Sequence, residues 1–394
     1  VDLTGTPDNW NLRTVDLENV PDLFPEYAEP EYLDINNDNV AVVTLQENNH
    51  IVLIDLENGN IVYDYNAGAP DLSDIDTFEN DLIELSSSLT SVPREPDGVT
   101  WIADDIFATA DEGDLDGGSR GFTIYQANGD VIYAAGNTVE HAIVRHGHYP
   151  ENRSENKGNE PENVEFGSYK GNDYLFVGSE RASVILVYDV NDPANPALMQ
   201  VLPSAVKPEG LLAIPKRNLF VAAAEEDERG DKFRSSLTIY KYSGKPQTYP
   251  TLASDNRSDN TPIPWGALSG LAVDPGDDDT VYTIHDSFYV DSLIYAMNVS
   301  QQPAVITDEI VLKDGSLNVS LDQEGIAVSA SGDGSFWVAS EGAGSVDDPG
   351  RPVTSNNIVV HAEASDNILD IVTLPASVNA KQRRFGFEGV ASVM

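Results

Sequence analysis

Short runs of alternating apolar and polar residues recur along the chain, and seven of them begin alike. They are rich in Val, Ile, Tyr and Phe and are separated by Gly, Asn and Asp, a pattern typical of short β-strands joined by turns. A second strand-like run that ends in an acid follows each of the first six, and a third run follows in most. The pattern therefore predicts a repeated unit of three or four antiparallel strands, and the seven starting runs are "EPEYLDI" at 29, "EPDGVTW" at 95, "EPENVEF" at 160, "KPEGLLAI" at 207, "LSGLAV" at 268, "QEGIAV" at 323 and "FEGVASV" at 387.

Seven such units favour an all-β fold, a seven-bladed β-propeller with long loops on one face. A β-sandwich or a β-helix is the alternative. We expect one domain over residues 1–394. Because 387–394 holds only the first strand of the seventh unit, the sequence leaves two alternatives: residues 1–27 complete that blade, or the natural protein continues. The Asn-Gly pairs at 58–59 and 128–129 predict hairpin turns, and 81–89 is the one segment expected to form a short helix.

The charge of the chain changes the picture of its partners. Lys and Arg total 22 against 66 Asp and Glu, for a formal net charge of −44. Such a surface repels nucleic acid and anionic membranes, so we expect neither nucleic-acid binding nor membrane insertion. Divalent cations such as Ca²⁺ are favoured partners, since they prefer oxygen ligands. The acidity is alternatively an adaptation to saline surroundings.

The remaining composition bears on compartment and chemistry. The chain has no cysteine, so neither a disulfide framework nor a thiol nucleophile is available. It has no apolar run of about 18 residues that would insert into a membrane. It begins "VDLTGTPDNW" without a basic and apolar leader, which favours a mature secreted protein outside the cell.

Acidic residues recur at matched positions of the repeat. Because antiparallel neighbours begin and end at the same edge of a sheet, acids that start first strands and acids that end second strands are expected to meet at one mouth of the propeller, as two rings. Crowded carboxylates raise each other's pKa, and bound Ca²⁺ resolves this most simply; the alternative is that the acids cap turns. The first-strand acids are Glu31, Asp97, Glu162, Glu209, Glu324 and Glu388, with Ser269 in the fifth unit, and the second-strand acids are Glu47, Glu112, Glu180, Glu225, Asp286 and Glu341.

Long loops emerge at the same predicted mouth, where function usually resides on a rigid scaffold. In one of them Glu112, Asp114 and Asp116, followed by Gly117, copy the opening spacing of an EF-hand calcium loop. Thr123 stands where that loop requires its final glutamate. The segment therefore fails as an EF-hand but remains a candidate oxygen-rich metal loop.

Basic residues and histidines gather around residues 138–161. Arg153 and Lys157, together with Arg181, are candidate catalytic cations that clamp a phosphate or carboxylate, or else they only offset local acids in salt bridges. His141, His146 and His148 are either transition-metal ligands or members of a solvated loop. No nucleophile elbow, P-loop or dinucleotide motif occurs, so metal-activated water is the expected nucleophile of any hydrolysis.

Several stretches resemble known families. "AVVTLQENNHIVLIDLENGNIV", "ATADEGD" and residues 153–196 resemble the choice-of-anchor I proteins, secreted bacterial propellers related to mesenchyme-specific cell-surface glycoproteins. "PEGLLAIP", "SGLAVDP", "QEGIAVSASGDGSFWVASEG" and "FEGVAS" resemble the phytase-like esterase group of propellers. The resemblance implies an extracellular, calcium-binding propeller, with phosphate-ester hydrolysis of the alkaline phosphatase or phytase-like kind in some members. Asn163, in place of the glycine that follows the repeated acid, and the short seventh unit depart from the pattern.

Two functions from different classes remain open. The first is a metal-dependent phosphoesterase in which the carboxylates hold Ca²⁺ and the three cations neutralise the developing charge. The second is a non-catalytic calcium-binding protein of the cell surface or extracellular matrix, whose acidic faces bridge to neighbouring partners.

Overall fold

The structure is a computed structural model that describes residues 5–230, 233–245, 248–383 and 386–393. Its residues form many small antiparallel sheets, with α-helices at Thr138–Arg145 (α1) and Ala376–Asn379 (α2). The chain divides into two compact units. Unit 1 comprises residues 1–78, 84–143 and 152–247, and unit 2 comprises 79–83, 144–151 and 248–394. The all-β prediction is confirmed.

Unit 1 contains four sheets whose strands follow chain order, and a separate hairpin. The first strand of each sheet packs against the first strand of the next. The sheets are β1–β4 (Pro30–Ile35, Val40–Leu45, His50–Asp55, Asn60–Asn66), β7–β10 (Val99–Ala103, Ile106–Asp111, Gly121–Gln126, Val131–Ala134), β11–β14 (Pro161–Tyr169, Asn172–Ser179, Val184–Asp189, Ala197–Pro203) and β15–β17 (Pro208–Ile214, Leu219–Ala224, Ser236–Lys241), and the hairpin is β5–β6 (Leu72–Ile75, Ser87–Leu89).

Unit 2 repeats this organisation in a five-stranded and a four-stranded sheet. In the first of these sheets, the short strand Leu252–Ser254 pairs in parallel with the strand Ala304–Val311. The strands are β18 (Leu252–Ser254) with β19–β22 (Leu268–Asp274, Asp277–His285, Leu293–Asn298, Ala304–Val311), a hairpin β23–β24 (Lys313–Asp314, Leu317–Asn318), and β25–β28 (Asp322–Val328, Phe336–Glu341, Ile358–Ala362, Ile368–Thr373).

Consecutive sheets are held together by buried apolar side chains between their faces. Phe107 and Tyr125 of one sheet stack 5.3 Å apart and pack with Leu53 of the preceding sheet. Phe176 and Phe220 stack 4.0 Å apart between β11–β14 and β15–β17. Burial of such side chains is the main stabilising term of the fold, at about 25 cal/mol per Å² of apolar surface.

A β-bulge recurs near the start of the first strand and places the repeated acid. The pairing Pro161–Ser179 is followed by Asn163–Gly178, which leaves Glu162 as the extra residue. Bulges re-aim the side chain of the extra residue, and the following Gly or Asn allows close approach of the neighbouring strand. Glu209 and Glu324 are extra residues in the same way, and the register shifts of β1 and β19 span Glu31 and Ser269.

Local predictions met mixed outcomes. The two Asn-Gly hairpins are confirmed, with Gly59 and Gly129 at φ values of 79° and 96°. The helix expected at 81–89 is wrong, because Ser87–Leu89 pairs with Leu72–Ile75 as a strand. Conversely, α1 was missed, since its eight residues are too few to show a helical period and its apolar residues are buried by tertiary contacts.

The blade count and the single domain remain predictions. Six multi-stranded sheets occur in the described part of the chain, and residues 386–393, which include Glu388, form no strand. The described residues 5–29 hold a 3₁₀ turn at Pro7–Asn9 and one bridge residue, and their role in completing the last blade stays a prediction. Residues 1–4 and 394, which also belong to this predicted blade, lie outside the described residues.

Candidate functional site

Five carboxylates of unit 1 come together where the sequence predicted that strand starts and strand ends would meet. We call Asp97, Glu112, Glu160, Glu162 and Glu180 the unit 1 cluster. Oxygen atoms of Asp97, Glu112 and Glu162 all lie within 4.8 Å of one another, and so do those of Glu112, Glu160 and Glu180. Glu112 is therefore shared by two overlapping groups.

Backbone pairing fixes each acid at the sheet edge. The Asp97 amide donates to the Ala110 carbonyl oxygen at 3.0 Å, just before β7 begins. Glu112 and Glu180 directly follow β8 and β12, and the Glu180 amide donates to the Glu160 carbonyl at 2.9 Å. Glu162 is aimed by its bulge.

Crowding changes the protonation of the cluster. Burial, and then the nearby charges of Glu112, Glu209 and Glu31, raises the pKa of Asp97 from its ordinary 3.8 to about 7. Burial likewise raises the pKa of Glu112 to about 7, against the lowering effect of Lys157. Burial, and then the charges of four neighbouring acids, raises the pKa of Glu162 to about 10, above both of these values. Without a cation, the cluster therefore retains protons at neutral pH.

Cations border the cluster. Lys157 Nζ lies 3.3 Å from Asp114 and 4.0 Å from Glu112. Arg181 Nη1 lies 3.0 Å from Glu180, and Lys207 Nζ lies 3.8 Å from it. Burial still raises the pKa of Glu180 to about 7, although Arg181 lowers it.

Two acids that sequence reasoning missed hold this site in place. Glu160 is fully buried, and Arg153 and Arg181 both donate to its carboxylate. Glu95 is 2% exposed and accepts the amides of Asp114, Leu115 and Asp116 at 2.6, 2.7 and 2.9 Å. The sequence signal for both residues was the repeated Glu-Pro-acid motif, "EPD" at 95–97 and "EPE" at 160–162. Only the second acid of each motif was predicted to be a metal ligand.

A second group of acids lies in unit 2, and we call Asp286, Asp322 and Glu324 the unit 2 cluster. Ser287 Oγ donates to Asp322 at 2.7 Å and to Asp286 at 3.3 Å. Burial, and then the charges of Asp286, Glu388 and the acids around them, raises the pKa of Glu324 to about 7. Asp322 and Glu341 also line a cavity of about 470 Å³ beside Arg351.

The other predicted metal ligands are not members of these close groups. Glu209 and Glu31 act on Asp97 through their charge, Glu225 lies 3.6 Å from Lys207, and Glu341 and Glu388 act on Glu324. Glu47 lies beside Glu29 and Asp114. Asp116 lines a separate cavity with Arg120, so the EF-hand-like spacing of 112–116 does not bring its three acids together.

The histidines take part in ordinary structural contacts. His141 Nε2 lies 2.7 Å from the Asp74 carbonyl oxygen, and His148 is hydrogen-bonded to the Tyr249 hydroxyl. His146 lies in the turn that follows α1. Within the described ranges, no close group of metal-ligating side chains includes a histidine.

The unit 1 cluster fits a hard divalent cation. Calcium bonds to oxygen at about 2.3–2.6 Å, so three oxygen atoms within 4.8 Å of one another are close enough to share one ion. Loss of the retained protons would supply the negative charge that the ion needs. Asp97, Glu112 and Glu162 are the better ligand set, since arginines occupy both oxygens of Glu160.

Two family models match the chain and confirm the resemblance inferred from its motifs. The choice-of-anchor I domain matches residues 9–117 and 115–193, and the phytase-like family, described as "Esterase-like activity of phytase", matches residues 263–393. A choice-of-anchor domain implies a surface-anchored or secreted protein. No curated protein matches the chain.

Solved structures show only distant likeness. The alignment with a structure of U3-55K covers 92% of this chain and 85% of the U3-55K chain, with 10% sequence identity and a TM-score of 0.32. The alignment with Kuenenia stuttgartiensis hydrazine synthase covers 91% of this chain and 80% of that one, with 9% sequence identity and a TM-score of 0.34. The alignment with the RRP9 WD40 repeats covers 92% of this chain and 84% of that one, with 10% identity and a TM-score of 0.32. None of the helices among the described residues has the length and hydropathy needed to span a bilayer.

Proposed function

We propose that this chain is an extracellular β-propeller that binds Ca²⁺ at the unit 1 cluster and hydrolyses phosphate esters there. The observation that carries the proposal is the close group formed by Asp97, Glu112 and Glu162 beneath bordering cations. The match to the phytase-like family supports the esterase class, and the choice-of-anchor match supports the location. Sheets that pack face to face, with consecutive first strands in contact, support the propeller.

Each residue type has a distinct task in this proposal. Asp97, Glu112 and Glu162 hold the ion, which when bound polarises a phosphoryl oxygen and activates water. Lys157 and Arg181, together with Arg153, orient the phosphate and offset the charge that develops on its oxygens. Burial of the carboxylates strengthens these electrostatic effects, because the local dielectric is lower than that of water.

A second candidate is a calcium-binding surface or matrix protein without catalysis. The observation that favours it is that Lys157, Arg153 and Arg181 each already pair with a carboxylate of unit 1. In that case the cations only neutralise acids, and calcium rigidifies the propeller for contacts with extracellular partners.

Hydrolysis of p-nitrophenyl phosphate, measured with calcium and after chelation, tests the two candidates. We expect turnover that is lost on chelation and returns with calcium. Arg153→Ala is expected to abolish turnover while calcium binding is kept. A calcium-dependent rise in Tm without turnover would favour the non-catalytic candidate, and no calcium response at all would overturn both.

A further inference from the structure

Glu160 occupies an unusual place in unit 1. It is fully buried and adopts a left-handed backbone conformation, with φ at 42°, immediately before Pro161. Residues other than glycine and asparagine rarely adopt this conformation, so the surrounding structure must hold it. The preceding residue, Asn159, is held in place by Ser179, whose hydroxyl donates to the Asn159 backbone carbonyl oxygen at 2.6 Å.

One carboxylate thus joins two guanidinium groups. Arg153 donates to Oε1 of Glu160 through Nε, at 2.8 Å, and through Nη2. Arg181 donates to Oε2 through Nε at 2.6 Å. Because each arginine bonds to a different oxygen of the same buried group, the two guanidiniums are held side by side against their mutual repulsion.

Local structure brings the two arginines to Glu160 from both sides. Arg153 ends the 3₁₀ turn Glu151–Arg153, and its carbonyl accepts the amide of Gly158 at 2.9 Å, which folds the chain back toward Glu160. Arg181 directly follows Glu180 at the end of β12. Both side chains remain accessible, with 30% and 29% of their surface exposed, although the carboxylate between them is buried.

The exposed parts of this pair have the chemistry of an oxyanion site. A guanidinium carries five N–H donors, and Glu160 and Glu180 engage only part of each set. Two guanidiniums bound to one carboxylate match the several oxygens of a tetrahedral oxyanion better than either alone. The carboxylate that joins them lies within 4.8 Å of Glu112 and Glu180 of the candidate cation site.

We propose that Glu160 is a positioning residue that makes Arg153 and Arg181 a two-armed clamp for a tetrahedral oxyanion, the phosphate group of an ester substrate. That the oxyanion belongs to an ester substrate rests on the proposed function, whereas binding of the oxyanion itself does not require turnover. Glu160 touches neither the substrate nor the ion in this arrangement. Its effect is exerted through the geometry of the two arginines.

Binding of inorganic phosphate to the full chain in the presence of calcium tests the clamp by calorimetry. Glu160→Gln keeps the shape but removes the charge, and we expect phosphate affinity to fall at least about tenfold, and by a larger factor than calcium affinity. Glu165→Gln is the matched control, because Glu165 is a partly buried acid of β11, the strand that follows Glu160, and it accepts the Ala213 amide at 2.8 Å. It should leave both affinities unchanged.

Arg153→Gln and Arg181→Gln keep the test decisive if Glu160→Gln does not fold, since both arginines are partly exposed. Each should weaken phosphate binding, and in a folded Glu160→Gln background neither should weaken it much further. Unchanged phosphate affinity in folded Glu160→Gln, or in both arginine variants, overturns the clamp. Phosphate binding by the native chain without hydrolysis would overturn the proposed activity and leave the clamp intact.

Discussion

In unit 1 the repeated acids are largely buried and interleaved with arginines and lysines, whereas in unit 2 the corresponding acids are more exposed and lie beside Ser287 and further acids. Both clusters arise from the same bulged strand starts and the same strand ends. The repeat therefore supplies carboxylates everywhere, but it does not by itself make a site.

The residue two positions before the repeated acid accounts for much of the difference. In unit 1 it is Glu29, Glu95, Glu160 or Lys207, and the last three have a left-handed backbone conformation. Glu95 accepts three amides of the loop that follows Glu112, Glu160 binds two arginines, and Lys207 pairs with Glu226. In unit 2 it is Ala267 or Asp322. The comparison teaches that the neighbour of the acid decides whether the cluster gains basic partners.

The largest effect that would break this comparison is expected from Glu162→Gln. It removes a ligand carboxylate, so calcium affinity should fall by about 100-fold or more, since even outer partners of metal ligands cost about 10- to 100-fold. Calcium titration by calorimetry gives the measurement. Glu324→Gln is the unit 2 counterpart and should leave the high-affinity calcium site intact. Equal losses of calcium affinity in both variants would contradict the assignment of that site to the unit 1 cluster.

The pH dependence should differ between the chelated and the calcium-bound protein. Asp97 and Glu112 have folded pKa values of about 7, above their ordinary values of 3.8 and 4.5, so the folded chain binds more protons than the unfolded chain between these limits. Stability without calcium should therefore be greatest below about pH 4.5, as far as these two groups are concerned, and should be lost as pH rises through 7.

Calcium must displace these protons, so calcium affinity should fall by about tenfold per pH unit below 7 for each proton displaced. Melting curves and calcium titrations between pH 5 and pH 8 check both trends. The slope should flatten in Asp97→Asn and change less in Glu324→Gln, because Glu324 is more exposed to solvent. A calcium affinity independent of pH would contradict the protonated state of the unit 1 cluster.

Glu95→Gln should have a smaller effect, on stability before chemistry. The amide side chain cannot accept all three backbone amides of residues 114–116, and one unsatisfied buried group costs about 1–3 kcal/mol in unfolding free energy. Denaturant unfolding measures the loss. Asp322→Asn, at the corresponding position of unit 2, is the control and should cost less, because Asp322 is more exposed.

The smallest effect is expected from Ser269→Glu, which places an acid where the fifth unit lacks one. Ser269 Oγ donates to the Glu324 carbonyl at 3.3 Å, so the new carboxylate would lie near the unit 2 cluster. We expect a modest gain of weak calcium binding there, seen in the stoichiometry, with the unit 1 affinity unchanged. A gain as large as the unit 1 site would show that charge count alone suffices.

Much of the fold was predictable because it depends on local pattern. Alternating apolar residues marked the strands, Asn-Gly marked two hairpins, and an acid at the end of each second strand marked the sheet edge. The helix at 81–89 failed because serine-rich segments take strand or turn geometry as tertiary pairing dictates. The eight-residue α1 was missed because it is defined by the surfaces that bury it.

The sequence by itself determined the repeated strands and the matched acids, since alternation and spacing are read within a few residues. Only the tertiary structure decided that Asp97, Glu112 and Glu162 lie close together, and that Glu160 binds two arginines while Glu324 lies among further acids. The physical reason is that desolvation and Coulomb interaction depend on distances in space between residues far apart in the chain. The sequence contains 66 acidic residues, but the packing of the chain determines which of them are protonated, paired or available to a cation.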